Sequence, residues 1–464
     1  MSGLFDVVFL GGGPAGYQGA VRSAQLGQRV ALVEDRELGG VCLNRGCIPT
    51  KAIRASAELA LRARRGREWG LDIPVVQPDM AAVVARKDKV VGLLRGGVEQ
   101  LIRANRIALF RGLGVIRAPG VIEVSTDEGR LTVRARRVVV CSGALSRVPA
   151  PLVGVPGVVT TDELLSLVQL PHSLVIVGAG AVGVEMAAIM AALGAQVTLV
   201  ESQDRILPQE DAEMATYLAR MLRRLKVRVL TGVTVEQATA GALTVVQLSD
   251  GTQLAAEKVL AATGWTPRVE GIGLENAGIE CRQGAIAVNE RLQTSHPAVF
   301  AAGDVIGGWM LAHVAFAEGI VAAENAAGLE RRIDYRVVPR CVFALPEFAA
   351  VGLTEAQAAA QGTVDVVRFP LKTLGMAQAL GEWEGLVKLV VEAPSGQLLG
   401  GHVIGAHASE LVAEIALAMR HRIPVRGIME TIHAHPTMSE ALLEAAQAAC
   451  GQSIHLLPGS GQWG

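Results

Sequence analysis

Short apolar runs that lead into glycine-rich turns set the pattern at the start of the chain. The first run, Asp6–Leu10, ends at GGGPAG (Gly11–Gly16), and a stretch compatible with a helix then continues to Leu26. A second apolar run, Arg29–Val33, ends in Glu34. Apolar runs of this length bounded by glycine indicate buried strands, so the pattern predicts a strand, a turn, a helix and a second strand.

The same order of elements recurs near the middle of the chain. An apolar run, Leu174–Val177, leads into GAGAVG (Gly178–Gly183), and a helix is predicted over Val184–Leu193. The next predicted strand is Gln196–Val200, and it is followed by Glu201. The chain therefore contains two copies of one strand–turn–helix–strand unit.

Both turns carry glycines at the spacing G-x-G-x-x-G, namely Gly11, Gly13 and Gly16 in the first and Gly178, Gly180 and Gly183 in the second. Such glycines permit a tight turn, close approach of a pyrophosphate to the helix N-terminus, and close packing of helix on strand. Glu34 and Glu201 each follow the last glycine by 18 residues, where a carboxylate can accept hydrogen bonds from a ribose. We therefore predict two dinucleotide sites; the alternative is two glycine turns without a ligand. Glu201 favours NAD over NADP, because a carboxylate repels a 2′-phosphate.

Composition narrows the possible classes of protein. The chain has 464 residues, enough for about two to four domains. Its 43 basic and 44 acidic residues give no electrostatic reason to expect nucleic acid or anionic lipid as a partner. The most apolar stretch, Leu174–Ala195, contains Glu185 and a glycine cluster, which is not typical of a membrane helix. With no basic start typical of a signal peptide, the sequence predicts a soluble cytoplasmic protein.

Cys42 and Cys47 lie five residues apart in GGVCLNRGCIPTKA (Gly39–Ala52), just after the first unit. In a regular helix their Cα atoms would be roughly 8.6 Å apart, too far for a disulfide, so bridging requires a distortion such as Gly46 permits. Pro49 and Thr50 suit the start of a helix, where a nearby lysine would lower thiol pKa values. We expect a redox-active pair. Zinc ligands and inert thiols are the alternatives, although no second Cys/His pair at zinc spacing is present and no metal is expected.

The stretch HAHPTMSEALLEAAQ (His433–Gln447) carries a candidate acid–base pair. A dithiol must lose protons before it attacks a disulfide, and histidine has the pKa range for this. Glu440 has two interpretations that the local sequence leaves open. With Thr437 it matches a capping box for the next helix, and it could equally orient a histidine. Other histidines, such as His402, are expected in loops or at the surface.

GGVCLNRGCIPTKA resembles the redox segment of the pyridine nucleotide–disulfide oxidoreductases. The resemblance extends in order through ATGWTPR (262–268), AAGDV (301–305), MLAH (310–313) and HAHPTMSE (433–440). It implies an α/β fold with two Rossmann-like dinucleotide-binding domains, for FAD and NAD, and a C-terminal α+β dimerisation domain. It also implies tightly bound FAD at the first glycine turn, NAD at the second, and a homodimer with shared active sites.

The resemblance assigns roles to individual residues. A substrate thiolate would attack Cys42, and Cys47 would pass electrons to the flavin. His435 would be the base, with Glu440 as its partner, and would reach the cysteines from the other subunit. Lys51 and Glu185 would lie near the reactive nitrogen of the flavin, and Asp304 would hold its ribitol. Further FAD contacts would come from Pro14, Ala15, Gly40, Val41, Cys42, Lys51, Gly114, Ser142, Gly143, Ala144, Met310, Leu311, Ala312 and His313, and further NAD contacts from Val235 and Gly264.

The domains expected from the resemblance are an FAD domain (1–147), an NAD domain (148–267), a returning FAD segment (268–335) and an interface domain (336–464). The implied activity is oxidation of protein-bound dihydrolipoamide with reduction of NAD⁺. The implied partners are the lipoyl domain and acyltransferase core of a 2-oxo acid dehydrogenase complex. A mercuric- or glutathione-type reductase is an alternative. The lone Cys450 near the C-terminus and Glu201 disfavour these two types, respectively. A non-catalytic scaffold subunit is a further alternative.

Overall fold

The first predicted unit is present in the computed structural model, which describes residues 3–457. The ends of the first and last predicted domains, residues 1–2 and 458–464, lie outside this range. The elements of the first part of the chain are β1 (Phe5–Leu10), α1 (Pro14–Gln25), β2 (Val30–Glu34), α2 (Gly40–Arg45), α3 (Cys47–Arg64), α4 (Met80–Ala104), β3 (Ala108–Arg111), β4 (Leu113–Ala118), β5 (Val121–Thr126), β6 (Gly129–Val140) and β7 (Ala144–Ser146).

The second strand–turn–helix–strand unit is also present, with further strands and helices around it. Its elements are β8 (Val158–Val159), α5 (Thr161–Leu164), β9 (Ser173–Val177), α6 (Ala181–Leu193), β10 (Gln196–Val200), α7 (Ala212–Arg224), β11 (Arg228–Leu230), β12 (Val235–Thr239), β13 (Thr244–Leu248), β14 (Gln253–Ala256), β15 (Lys258–Ala261) and β16 (Trp265–Pro267). Both strand–turn–helix–strand predictions are confirmed to within a few residues at each end.

The last part of the chain returns to the first sheet and then builds a third. Its elements are β17 (Cys281–Arg282), β18 (Ala285–Ile286), β19 (Val299–Ala301), α8 (Ala312–Ala326), β20 (Arg340–Val342), β21 (Glu347–Gly352), α9 (Glu355–Ala359), β22 (Val364–Pro370), α10 (Gly375–Ala379), β23 (Leu386–Glu392), β24 (Leu398–Gly405), α11 (Ala408–Arg420), α12 (Val425–Glu430) and α13 (Glu440–Ala449). Short 3₁₀ helices lie at Gly66–Trp69, Ala150–Leu152, Leu274–Ala277, Asp304–Ile306 and Leu371–Thr373.

The first sheet is a parallel doubly wound sheet with an antiparallel extension. β1 lies between β2 and β6, β3 pairs with β2, and β19 returns to pair with β6, all in parallel. The long strand β6 also pairs antiparallel with β5 along its first half. Helices α1 and α8 cross on one face of this sheet. A Cβ at Gly19 would come within 2.7 Å of the Gly319 carbonyl oxygen, so the crossing needs glycine there.

The second sheet has the order β11–β10–β9–β15–β8 and is parallel throughout, with the antiparallel sheet β12–β13–β14 beside it. The third sheet, β20–β21–β24–β23–β22, is antiparallel and packs with α11 and α13. Two doubly wound units and an α+β domain confirm the predicted fold class. The residue boundaries of the four domains stay predictions.

The chain enters and leaves the second unit side by side. β7 and β16 form a two-stranded antiparallel ladder in which Ala144 lies opposite Pro267 and Ser146 lies opposite Trp265. The apolar stretch Leu174–Ala195 is β9, the glycine turn and α6, as expected. In the described range 3–457, no helix is long and apolar enough to cross a membrane.

A buried ionic cluster joins the second unit to the third sheet. Lys388 on β23 is only 1% exposed, and its Nζ lies 2.8 Å from Asp211, 2.9 Å from Glu213 and 2.5 Å from Glu355. Asp211 also caps α7 by accepting the Met214 N–H. Asp211 therefore caps α7, and its pairing with Lys388 holds that helix against the C-terminal domain.

The prediction that His402 lies in a loop or at the surface is wrong. It is fully buried on β24, a central strand of the third sheet, and one ring nitrogen lies 3.1 Å from the Leu353 carbonyl oxygen. Burial lowers the pKa of His402. Its neighbours Gly400 and Gly401 hid the strand pattern from the sequence.

Replacing Lys388 with Met should lower the free energy of unfolding by about 3 kcal/mol, because three carboxylates would lose their buried cation. Urea unfolding of the purified protein measures this change. The matched control is Lys372→Met at an exposed position, which should stay within about 0.5 kcal/mol of the wild type. Equal stability of the two variants would contradict the role given to the cluster.

Candidate active site

The first glycine turn is shaped by two glycines that no other residue could replace. Gly11 has φ +105°, and a Cβ there would overlap the Cys141 carbonyl oxygen. A Cβ at Gly16 would overlap the Gly11 carbonyl oxygen, where α1 packs close to β1. The second turn repeats this arrangement: a Cβ at Gly178 would overlap the Ala262 carbonyl oxygen, and one at Gly183 would overlap that of Gly178.

The middle glycine of each turn is different, because the protein itself does not require it. Gly13 and Gly180 have ordinary φ values of −70° and −69°. A Cβ at Gly13 would have its nearest neighbour 3.8 Å away, and one at Gly180 would have none within 4 Å. The space in front of each turn therefore suits a group that approaches the backbone from outside, such as a pyrophosphate.

The acid after each second strand folds back onto its glycine turn. Glu34 accepts the Gly12 N–H at 2.5 Å and the Arg36 N–H at 2.7 Å. Glu201 accepts the Ala179 N–H at 2.7 Å and the Gln203 N–H at 2.9 Å. Burial raises the pKa of Glu34, against the effect of these donors. Each carboxylate thus lies at the edge of its turn, where a ribose would meet it.

The segment with the two cysteines is joined directly to the first turn. The Gly39 N–H donates to the Gly12 carbonyl at 2.8 Å, and a Cβ at Gly40 would lie 2.7 Å from the Gly13 Cα. Gly39 and Gly40 have φ +94° and +60°. Val41 follows at the start of α2.

A break at Gly46 brings the cysteines together. Gly46 has φ −131° and ψ −104° and separates α2, which contains Cys42, from α3, which begins at Cys47. The distortion expected at Gly46 is confirmed. The helix starts at Cys47, earlier than Pro49 and Thr50. Proline is tolerated in this first turn because the N–H groups there have no intrahelical partner.

The two thiols are hydrogen-bonded to each other and differ in acidity. The hydrogen bond from Cys42 and the charge of Lys51 lower the pKa of Cys47, against the effect of burial. The same hydrogen bond, together with burial, raises the pKa of Cys42. All six cysteines of the chain are thiols in the structure. Cys47 at the helix N-terminus is therefore the better thiolate of the pair.

Lys51 is held in place by residues from two other domains. Its Nζ lies 3.0 and 3.2 Å from the carboxylate oxygens of Glu185 on α6. Glu185 also accepts the Phe343 N–H at 2.9 Å, and the Phe343 ring centroid lies 4.1 Å from the lysine nitrogen. The sequence carried no signal for Phe343, which enters this site from a loop almost 300 residues away.

The other predicted cofactor residues lie around the two glycine turns and the ladder of β7 and β16. Ser142 donates to the Arg268 carbonyl at 2.7 Å, Gly143 accepts the Arg268 N–H, and Ala144 begins β7. Gly264, at φ +106°, accepts the Arg147 N–H through its carbonyl oxygen at the end of the same ladder. Gly114 lies on β4 and Val235 begins β12.

The stretch MLAH opens α8 beside Asp304. Burial raises the pKa of Asp304, and in the described range its carboxylate has no hydrogen-bond or ion-pair partner. A ribitol hydroxyl would satisfy it. Met310 has φ +48°, and Leu311 and Ala312 form the cap and first residue of α8. His313 instead contacts the Pro339 carbonyl at 2.9 Å through one ring nitrogen.

Glu440 is hydrogen-bonded to His435, as expected for a partner of this histidine, whereas the capping box with Thr437 is not formed. One carboxylate oxygen lies 2.8 Å from His435 Nδ1, and the other accepts the Thr437 N–H at 2.8 Å. The helix starts at Glu440 itself rather than after Thr437, so the second bond secures the turn that leads into α13. These two hydrogen bonds hold the pKa of Glu440 below its usual value, although burial opposes them.

The His435 side chain is 78% exposed, and within one chain it has no contact with Cys42 or Cys47 among the described residues. His433 is instead tied to Glu414 at 3.0 Å and to the Thr431 carbonyl at 2.9 Å. The chain thus brings Cys42, Cys47, Lys51 and Glu185 together, and presents His435 at a separate surface.

Residues 5–319 match the family described as pyridine nucleotide-disulphide oxidoreductase, and residues 338–446 match its dimerisation domain. The chain belongs to the pyridine nucleotide-disulphide oxidoreductase family. It is therefore an oxidoreductase and a flavoprotein with a redox disulfide, and the family uses FAD and NAD(P). The open glycine turns and the unpartnered Asp304 fit these cofactors.

Relatives match over the full length. A dihydrolipoyl dehydrogenase from Thermus scotoductus is 41% identical, covering 98% of this chain and 99% of that protein. One from Bacillus subtilis is 39% identical, covering 98% and 100%. Among solved structures, LpdA from Mycobacterium tuberculosis has a TM-score of 0.90 at 29% identity, covering 96% and 99%. The flavoprotein disulfide reductase RclA from Escherichia coli, in a Cu(II) complex, has a TM-score of 0.89 at 29% identity, covering 96% and 100%.

Replacing Gly180 with Ala should leave the fold and flavin content unchanged, because no protein atom lies within 4 Å of the new methyl group. It should weaken NAD⁺ binding about tenfold, since the methyl group occupies the space in front of the turn. Isothermal titration calorimetry with NAD⁺ measures this. Gly183→Ala is the paired control, and it should lower the yield of folded protein because its Cβ overlaps a carbonyl oxygen. Unchanged NAD⁺ affinity in the Gly180 variant would contradict a dinucleotide site there.

Proposed function

We propose that the chain oxidises protein-bound dihydrolipoamide to lipoamide and reduces NAD⁺. The observation that carries this proposal is the pairing of an asymmetric dithiol with an outward-facing His435–Glu440 pair. A dithiol substrate needs both a base and an electrophilic disulfide, which His435 and the oxidised form of Cys42 and Cys47 would supply. The full-length similarity to dihydrolipoyl dehydrogenases supports the same substrate.

The thiol–disulfide exchange between substrate and enzyme needs only the substrate dithiol, the two cysteines and His435. In the oxidised enzyme, His435 Nε2 takes the proton of one substrate thiol, and the substrate thiolate attacks Cys42 Sγ. The Cys42–Cys47 bond breaks, and Cys47 leaves as the thiolate that Lys51 and the N-terminus of α3 stabilise. The second substrate thiol then attacks the sulfur bonded to Cys42, and its proton passes to the Cys42 thiolate that leaves. This closes the lipoamide ring and releases Cys42 as a thiol, while His435 keeps the first proton and Cys47 stays a thiolate.

Bound FAD supplies an acceptor for the electron pair held by the dithiol, and NAD⁺ carries that pair away as hydride. The chain's part is to hold the dithiol at the first turn and the Lys51–Glu185 pair between the two turns. Glu185 fixes the lysine side chain, so its charge stays close to Cys47.

NAD is proposed rather than NADP because of the residues after β10. Glu201 is anchored at the turn by two backbone donors, so its negative charge stays where a 2′-phosphate would lie. Arg205, the nearby cation, lies 3.3 Å from Asp204 and donates to the Pro208 carbonyl at 2.9 Å. It is therefore engaged elsewhere.

We also propose that the enzyme is a homodimer whose subunits share each active site, and that it serves the acyltransferase core of a 2-oxo acid dehydrogenase complex. The dimerisation domain and the exposure of His435 support the first part. Similarity to RclA keeps a disulfide reductase with another substrate as the second candidate.

The test is NADH formation by the purified flavoprotein mixed with dihydrolipoamide and NAD⁺. Cys42→Ser should abolish it, and His435→Gln should lower kcat by roughly 10² to 10⁴ because the base is lost. His421→Gln, at an exposed histidine on another helix end, is the control and should be fully active. If NADH reduces the flavin but dihydrolipoamide does not, the lipoamide assignment falls. Lack of reduction by either would favour a scaffold subunit.

Mixing two inactive variants tests the shared site. A heterodimer of one Cys42→Ser subunit and one His435→Gln subunit should regain about half of the wild-type activity, because one of its two symmetric sites then has both groups intact. Differently tagged subunits allow the heterodimer to be isolated and assayed. An inactive heterodimer would place His435 in the site of its own subunit and reject the shared arrangement.

A further inference from the structure

A cavity of about 470 Å³ opens at the second glycine turn. Gly180 lines it from the turn, Glu210 from the loop before α7, Trp309 from the loop before α8, and Arg340 and Val342 from β20. Four separate parts of the chain therefore meet around one space, next to the glycine that the protein itself does not require.

The cavity leads from the turn toward the redox residues. Val342 is followed by Phe343, whose N–H is bonded to Glu185 and whose ring covers Lys51. If NAD binds at the second turn, as proposed above, its pyrophosphate lies at Gly180. Its nicotinamide then lies at the far end, because the reacting ring must face the redox centre.

Among the described residues that line this cavity, Trp309 is the only aromatic one. The chain is poor in aromatics, at 3% of residues. The side chain keeps 37% of its surface exposed, and among the described residues no other ring or cation stacks on it. Its π face is thus available to a ligand, which is unusual for a large ring beside a buried turn.

The backbone around Trp309 is held in an uncommon conformation. Gly307 and Gly308 have φ +71° and +72°, and Met310 has φ +48°. Glycine adopts this region freely, but in methionine this conformation is strained by about 1 kcal/mol or more. Three left-handed residues in a four-residue loop direct the chain so that Trp309 lines the cavity.

The opposite wall carries no free positive charge. Arg340 forms two hydrogen bonds to Glu210, at 2.7 and 2.9 Å. Both side chains are mostly buried. The bidentate pair neutralises the arginine and keeps β20 and the α7 loop together. A positively charged ring therefore meets no repulsion from this wall.

We propose that Trp309 contacts the nicotinamide ring of NAD⁺ and favours its oxidised form. The nicotinamide of NAD⁺ carries a positive charge that an indole face attracts, whereas the ring of NADH is neutral. Trp309 is thus a specificity-determining residue of the NAD site, and this inference rests on the proposed binding of NAD there.

The test compares NAD⁺ with tetrahydro-NADH, whose ring is uncharged and cannot donate hydride. In isothermal titration calorimetry, Trp309→Leu should raise the Kd for NAD⁺ about fivefold and change the Kd for tetrahydro-NADH less than about twofold. Trp309→Phe should keep most of the NAD⁺ affinity. Trp383→Leu is the matched control, because Trp383 is equally exposed, at 38%, and lies outside the cavity.

Equal losses for both nucleotides, or no loss, in Trp309→Leu would overturn the role of Trp309 and leave the proposed function standing. Wild-type protein that binds neither nucleotide would overturn both. Because the titration contains no lipoamide, its result does not depend on whether dihydrolipoamide is the substrate. Equal flavin content and melting temperature among the variants show that the fold is intact.

Discussion

One backbone contact sets the position of nearly everything chemical in this protein. The Gly39 N–H is bonded to the Gly12 carbonyl, and Gly40 lies directly against Gly13. Because this contact involves main chain alone, no rotamer change can loosen it. The dithiol segment starts from there, and α3 then carries Lys51 to Glu185 on the second unit. The two dinucleotide turns are thus connected through a single rigid path, with the dithiol along it.

The asymmetry of the dithiol follows from where each sulfur lies on that path. Cys47 begins an 18-residue helix and is close to Lys51, whereas Cys42 is inside the short helix before the break. A helix N-terminus and an ammonium both favour a negative charge. Two identical side chains therefore differ in acidity because of their surroundings, and the break at Gly46 is what lets them remain neighbours.

The sequence predicted well the features that depend on local backbone physics. Both glycine turns contain positions where a side chain would overlap the backbone, as at Gly16 and Gly183, and this is what the glycine spacing indicated. The break at Gly46 was likewise expected from the conformational freedom of glycine. For Glu440 the sequence offered two interpretations. The carboxylate contacts His435, whereas the helix begins at Glu440 itself, so the capping box with Thr437 is not formed.

Contacts between distant segments carried no signal in a single sequence. Phe343 on Lys51, the carboxylates around Lys388 and the burial of His402 all arise when separate domains close on one another. Trp309 belongs to the same class, since its neighbours come from three parts of the chain. The roles of the individual site residues also need the second subunit and the cofactors, which no local pattern contains.

The ladder between β7 and β16 has a consequence for how such a protein can change. The chain departs at Ser146 and comes back at Trp265 on the adjacent strand, so both covalent connections of the intervening unit lie side by side at one edge. Recombination at this ladder would therefore exchange the unit without cutting the first sheet. The incoming unit would still have to supply a carboxylate in the place of Glu185 for Lys51 and partners for Lys388, so such exchanges are restricted to units that preserve these two contacts.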